Sequence, residues 1–100
     1  MNITITTNDT KALSILSSAL IDYAHDQSMK ACEQSNTQDR CFYFKEAAAA
    51  RLLLAKVSLR WTRELVKAGS DMWSIADEKQ KIKEAKVQYK NAKQNWLNSL

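Results

Sequence analysis

Few side chains in this chain have the types and spacing that chemistry requires. His25 is the only histidine, and Cys32 and Cys41 are the only cysteines, separated by a polar stretch that matches no zinc-ligand pattern. One histidine completes no Ser/His/Asp or Cys/His set here, and one glycine, Gly69, cannot build a loop that cradles phosphate. The carboxylates Glu46, Glu64, Glu78 and Glu84 are scattered and sit in no signature for general acid or base work. The sequence therefore leads to the expectation of no enzyme, no catalytic residue, no cofactor and no metal.

The order lies in the cations. Lys56, Arg60, Arg63 and Lys67 follow a four, three, four spacing, and Lys79, Lys83, Lys86, Lys90 and Lys93 repeat the pattern further on. Residues so spaced share one face of a helix, which gives two basic stripes. Each stripe has three readings: a solvated outer face, a contact for an acidic protein surface, or a contact for phosphates. Arginine offers a planar fork to carboxylates and phosphates, so Arg60, Arg63 and Lys67 are taken as partner-binding candidates. The Lys79 to Lys93 stripe is the candidate for nucleic acid or an acidic surface. Segment charge agrees with this division, at −2 for residues 1–38, +4 for residues 39–69 and +2 for residues 70–100.

Aromatic residues supply a second kind of candidate. Trp61 and Trp96 fall on apolar helical spacings and are read as core. Trp73 stands beside Met72, off the apolar spacing that follows, where the chain should be turning. Exposed tryptophan and methionine are typical interface anchors, so Met72 and Trp73 join the partner-binding set; the alternative is a staple that pins the turn.

Helices must position all of these groups. Proline is absent and glycine occurs once, whereas strand-rich folds draw on both for tight turns. Residues 1–8, with Ile3 and Ile5 alternating with threonines, read as a short extended arm; it either lies against the helices or adds a strand to a partner's sheet. A first helix is expected over 9–33, with a stripe through Leu13, Leu16, Leu20, Tyr23 and Ala24 widened by Ala12, Ile15 and Ala19. A second is expected over 39–68, capped by Asp39 and stopped by Gly69. It carries one stripe through Phe44, Ala48, Leu52, Ala55, Leu59 and Val66 and another through Tyr43, Ala47, Ala50, Leu54, Val57, Trp61, Leu65 and Ala68, so it should have two neighbours.

A third helix is expected over 71–98, starting near Asp71 or at Ser74. Its seven-residue repeat of Ile75, Ile82, Ala85, Tyr89, Ala92 and Trp96 has only Glu78 out of character. That seam either packs within the chain or is shared with a second copy in a homodimer. The expected fold is all-α, a single elongated antiparallel three-helix bundle with a long central helix.

At 100 residues and 45% hydrophobic content, the chain can bury a core without a metal or disulfide. Cys32 and Cys41 are read as free thiols, with a disulfide across the first turn as the alternative. The longest apolar run is far short of a membrane span, and the threonine-rich opening lacks the features of a secretory signal, so a cytoplasmic location is expected.

The opening from Asn2 to Leu13, Asn-Ile-Thr-Ile-Thr-Thr-Asn-Asp-Thr-Lys-Ala-Leu, followed by Ser17-Ser18-Ala19-Leu20-Ile21, resembles the start of small early proteins of lambdoid temperate phages. Within that group it is similar to the anti-RecBCD proteins. The resemblance covers about the first quarter of the chain. It implies a small protein of the infected bacterial cytoplasm that binds the host RecBCD helicase-nuclease and protects linear phage DNA. A net charge of +4 opposes inhibition by imitation of DNA, which would call for an acidic surface. Contact between proteins is the expected route, and direct binding of nucleic acid as a recombination accessory is the alternative.

Overall fold

A computed structural model describes residues 3–100 and contains three helices: α1 (Thr10–Glu33), α2 (Thr37–Lys67) and α3 (Ile75–Asn98). No strand occurs among the described residues. The first two residues of the arm expected over 1–8 lie outside the described residues.

Helix ends follow side-chain capping, with one correction to the expected boundaries. Asp9 caps α1, its Oδ1 accepting the Lys11 N–H at 2.9 Å and the Ala12 N–H at 3.3 Å. Asn36, rather than Asp39, caps α2: its Oδ1 accepts the Asp39 N–H at 3.2 Å. Asp39 thus sits in the first turn, where its charge still favours the positive helix end. Ser74 caps α3, accepting the Asp77 N–H at 3.2 Å, so α3 begins at the later of the two starts.

Gly69 ends α2 at φ +96°. The Gly69 N–H reaches Val66 O and the Ser70 N–H reaches Leu65 O, both at 3.0 Å, which closes the last turn in the paired pattern that a left-handed glycine allows. Open space surrounds the position where a Cβ would stand. Gly69→Ala should therefore cost only the backbone strain, about 1–2 kcal/mol, read as a lower urea midpoint at unchanged slope.

The long middle helix organises the rest. Both α1 and α3 pack on α2, yet no Cα of α1 lies within 8 Å of a Cα of α3. Between Lys45 and Leu65 only Arg51 is exposed, which is the signature of a helix covered on several sides. The molecule measures 49 × 22 × 21 Å, and its long axis is set by the 31 residues of α2, about 46 Å at 1.5 Å per residue.

Each flanking helix has one neighbour to meet, so each buries a narrow seam. In α3 the residues that are not exposed are Ile75, Glu78, Ile82, Ala85, Tyr89, Ala92 and Trp96. These are the positions of the expected heptad, and Glu78, out of character in sequence, is one of the two that are buried. At the far end Trp96 meets Phe42 edge-on at 6.3 Å, with Lys45 Nζ 4.2 Å from the Trp96 ring. This seam is occupied within the chain, so a homodimer through it would require α3 to leave α2.

The stripe expected on α1 needs a larger correction. The seam runs through Leu13, Ser17, Leu20, Ala24, Gln27 and Ala31 at alternating four and three spacing. Ile15, Leu16, Ile21 and Tyr23 are exposed instead. Ser17, Ala24 and Ala31 are small, and α2 offers the buried Ala47, Ala48 and Ala50; small residues let helices approach closely, and a close approach narrows the covered stripe. Beside the seam, the Tyr23 hydroxyl donates to Glu46 Oε2 at 3.1 Å. Desolvation first, then this hydrogen bond, holds the phenol above its usual range. Any stability from that raised value is present below the unfolded tyrosine pKa and is lost as pH rises through the folded one.

Candidate functional site

The chain before α1 lies along α2. Lys56 Nζ donates to Ile3 O at 2.9 Å, and Arg60 Nε donates to Thr7 O at 3.1 Å while its second amino group reaches Thr6 O at 3.5 Å. Arg60 also pairs with Glu64 at 3.8 Å, and Lys67 pairs with the same Glu64 oxygen at 3.3 Å. Two members of the first basic stripe therefore hold the arm through the carbonyls of Ile3, Thr6 and Thr7. Arg63 lines the small crevice beneath the arm, about 280 Å³, together with Ile5, Leu59, Ile82 and Lys86.

Reversing these charges should detach the arm without unfolding the helices. Arg60→Glu with Arg63→Glu places carboxylates beside backbone carbonyls, so hydrogen exchange over residues 3–9 should rise while helical circular dichroism is retained. Loss of helicity would show that these side chains support the core.

The second basic stripe is free. Lys79, Lys83, Lys86, Lys90 and Lys93 are all exposed, and none forms an ion pair among the described residues.

Met72 and Trp73 stand out from the α2–α3 connection, 84% and 50% exposed. Trp73 is also one wall of an open groove of about 630 Å³ with mainly apolar walls. Leu54, Ala55, Ser58, Trp61, Thr62 and Leu65 of α2 form its floor; Ser17 and Ile21 of α1 stand on one side, and Glu78, Lys81, Glu84, Ala85 and Gln88 of α3 on the other. Trp61, expected in the core, is half-buried in that floor, because α1 and α3 do not close over it.

The groove contains an electrostatic anomaly. Glu78 is 6% exposed; its Oε1 takes Lys81 Nζ at 3.2 Å, while its Oε2 has no hydrogen-bond partner. Ser17 Oγ, across the groove on α1, is also buried without a partner. Buried polar groups are nearly always paired, so two such orphans on residues that line one concavity set this region apart from the rest of the packing.

The structure thus joins Trp73 to an apolar groove, with Met72 exposed beside it in the chain, and places neither Arg60 nor the free lysine stripe in that groove. The groove residues Leu54, Leu65, Ser17 and Glu78 were not legible as a site. The only sequence signal was one carboxylate on an otherwise apolar heptad.

Cys32 and Cys41 are free thiols, and no cluster of potential metal ligands occurs among the described residues. No described helix is long and apolar enough to cross a membrane. Compared with protein-family models, with curated proteins and with solved structures, the chain matches none.

Proposed function

We propose that this chain is a helical protein-interaction module, an elongated antiparallel three-helix bundle that binds and inhibits or modulates a host enzyme. The observation that carries the reading is the pair of exposed anchors, Met72 and Trp73, of which Trp73 lines an apolar groove. Large apolar side chains beside a concave apolar surface are what a protein partner covers, and central aromatic anchors dominate binding energy at such interfaces. The N-terminal resemblance to phage anti-RecBCD proteins supplies the target: the RecBCD helicase-nuclease of the bacterial cytoplasm, with survival of linear phage DNA as the outcome.

The test uses the full-length chain as bait with purified RecBCD, and reads both complex formation and digestion of linear DNA. Stoichiometric binding with reduced digestion is expected, and Met72→Ala with Trp73→Ala should weaken binding by tenfold or more, on the order of one interface hot spot. No complex and unchanged digestion would remove RecBCD as the target. Recovery of no stoichiometric protein from bacterial lysate would remove the module reading altogether.

A second reading rests on the five lysines of α3 that form no ion pair among the described residues, which are spaced to follow a phosphate backbone as a recombination accessory protein would. Five phosphate contacts predict that affinity for duplex DNA falls on the order of 500-fold between about 50 and 200 mM salt. A gel shift that is absent, or insensitive to salt, eliminates it.

A further inference from the structure

We infer that the crevice between the arm, α2 and α3 seats one backbone phosphate of a nucleic-acid duplex, held jointly by Arg63 and Lys86. This rests on the second reading above for its ligand, and adds to the lysine row of α3 a site built from three parts of the chain.

Charge selects an anion here. Lys56, Arg60 and Arg63 of α2 and Lys86 of α3 line the crevice, and no carboxylate does. In the apolar groove, by contrast, Arg51 and Lys81 are balanced by Glu78 and Glu84. Among the described residues, the one carboxylate paired with any of the four crevice cations is Glu64, 3.8 Å from Arg60 and shared with Lys67. Counting it leaves the crevice three charges positive. The arm offsets none of this, because it meets Lys56 and Arg60 through neutral carbonyls. Arg63, half-buried, and Lys86, exposed, have no side-chain hydrogen-bond or ion-pair partner among the described residues. Like charges brought together are costly until an anion joins them, and the apolar Ile5, Leu59 and Ile82 around them reduce screening by water.

Size and continuity select a polymer. At about 280 Å³ the crevice is smaller than ordinary ligand pockets of roughly 300–1,000 Å³, so it admits one charged group rather than a whole small molecule. Lys86 is also the middle of the α3 row. Lys79 and Lys93 stand seven residues to either side of it, so the three flank the α3 seam on the same side, about 10 Å apart along the helix. A free phosphate would leave that row empty, whereas a backbone continues along it.

Side-chain types select nucleic acid over protein, and duplex over single strand. Lysine is depleted at the centres of protein interfaces, where aromatic anchors gather, yet it serves phosphate as a point charge. No aromatic side chain lines the crevice, so unpaired bases find no platform to stack on. Backbone contact to a duplex remains, and such contact is indifferent to base sequence.

The test titrates the full-length chain with a mixed-sequence DNA duplex of about 20 base pairs, across about 50 to 200 mM salt. Arg63→Gln and Lys86→Gln should each weaken binding about tenfold or more at the low-salt end, since each removes a charge-assisted hydrogen bond, with helical circular dichroism retained. Because both hold one phosphate, the double variant should lower the slope of log affinity against log salt by about 0.9, the value of a single contact. Lys30→Gln, an equal loss of charge on α1, should leave the slope unchanged.

Unchanged affinity in Arg63→Gln, where Lys83→Gln with Lys90→Gln weakens binding, overturns the crevice and leaves the lysine row standing. The opposite pattern overturns the row and leaves the crevice. Absence of duplex binding removes both. A slope change of about 1.8 in the double variant makes the two cations independent contacts and overturns the shared seat. A polyglutamate of matched charge that binds as tightly, and is weakened equally by Arg63→Gln, assigns the crevice to an acidic protein instead; binding of inorganic phosphate without binding of duplex reduces it to a free-anion site. Either result overturns the proposal.

Discussion

Leu13→Ala should destabilise the protein by about 2–5 kcal/mol, whereas Leu16→Ala, one turn away on the same helix, should cost less than about 1 kcal/mol. In sequence the two leucines are equivalent members of one apolar stripe. In the fold Leu13 is 0% exposed and Leu16 is 41% exposed. Removing a fully buried leucine loses its transfer free energy and leaves a cavity that a tightly seamed helix pair closes poorly. Against a total stability of roughly 5–15 kcal/mol for a domain of this size, the first change alone could lower the melting temperature by about 10–20 °C. Urea denaturation of both variants checks it. Equal losses would mean that α1 buries the broad stripe rather than the narrow seam.

Glu78→Leu should move stability the other way, raising it by about 1–3 kcal/mol. The carboxylate is almost fully buried, one oxygen has no donor, and its partner Lys81 is largely exposed. An attraction shared with solvent offsets little of the cost of desolvating a charge, and leucine completes the apolar heptad of Ile75, Ile82, Ala85 and Tyr89. A loss of stability would show that Oε2 is satisfied by ordered water and that the residue serves the fold.

These two residues show how far sequence reading reaches. The heptad of α3 was legible because α3 meets a single neighbour, and one contact line selects positions by spacing alone. On α1 the same rule applied, but Ile15, Leu16 and Ile21 masked it; an apolar residue outside the seam looks like one inside it, and Ser17 and Gln27 look like surface. Arg60 was legible as one of a basic row. That it holds Thr6 and Thr7 depends on the path of the preceding chain, which no helical spacing encodes.

What the sequence determined by itself is local: helices punctuated by Asp9, Gly69 and Ser74, a middle helix apolar on two sides, and Met72 with Trp73 placed in a turn. These follow from capping, backbone freedom and periodicity, which act within a few residues. Only the tertiary structure decided that α1 and α3 stay apart on α2, turning Leu54, Trp61 and Leu65 from core into a groove floor and leaving Glu78 buried beside it without a full set of partners. The angle between two helices on a third is set by the sizes of side chains that meet from distant parts of the chain. Spacing along one helix carries no record of it.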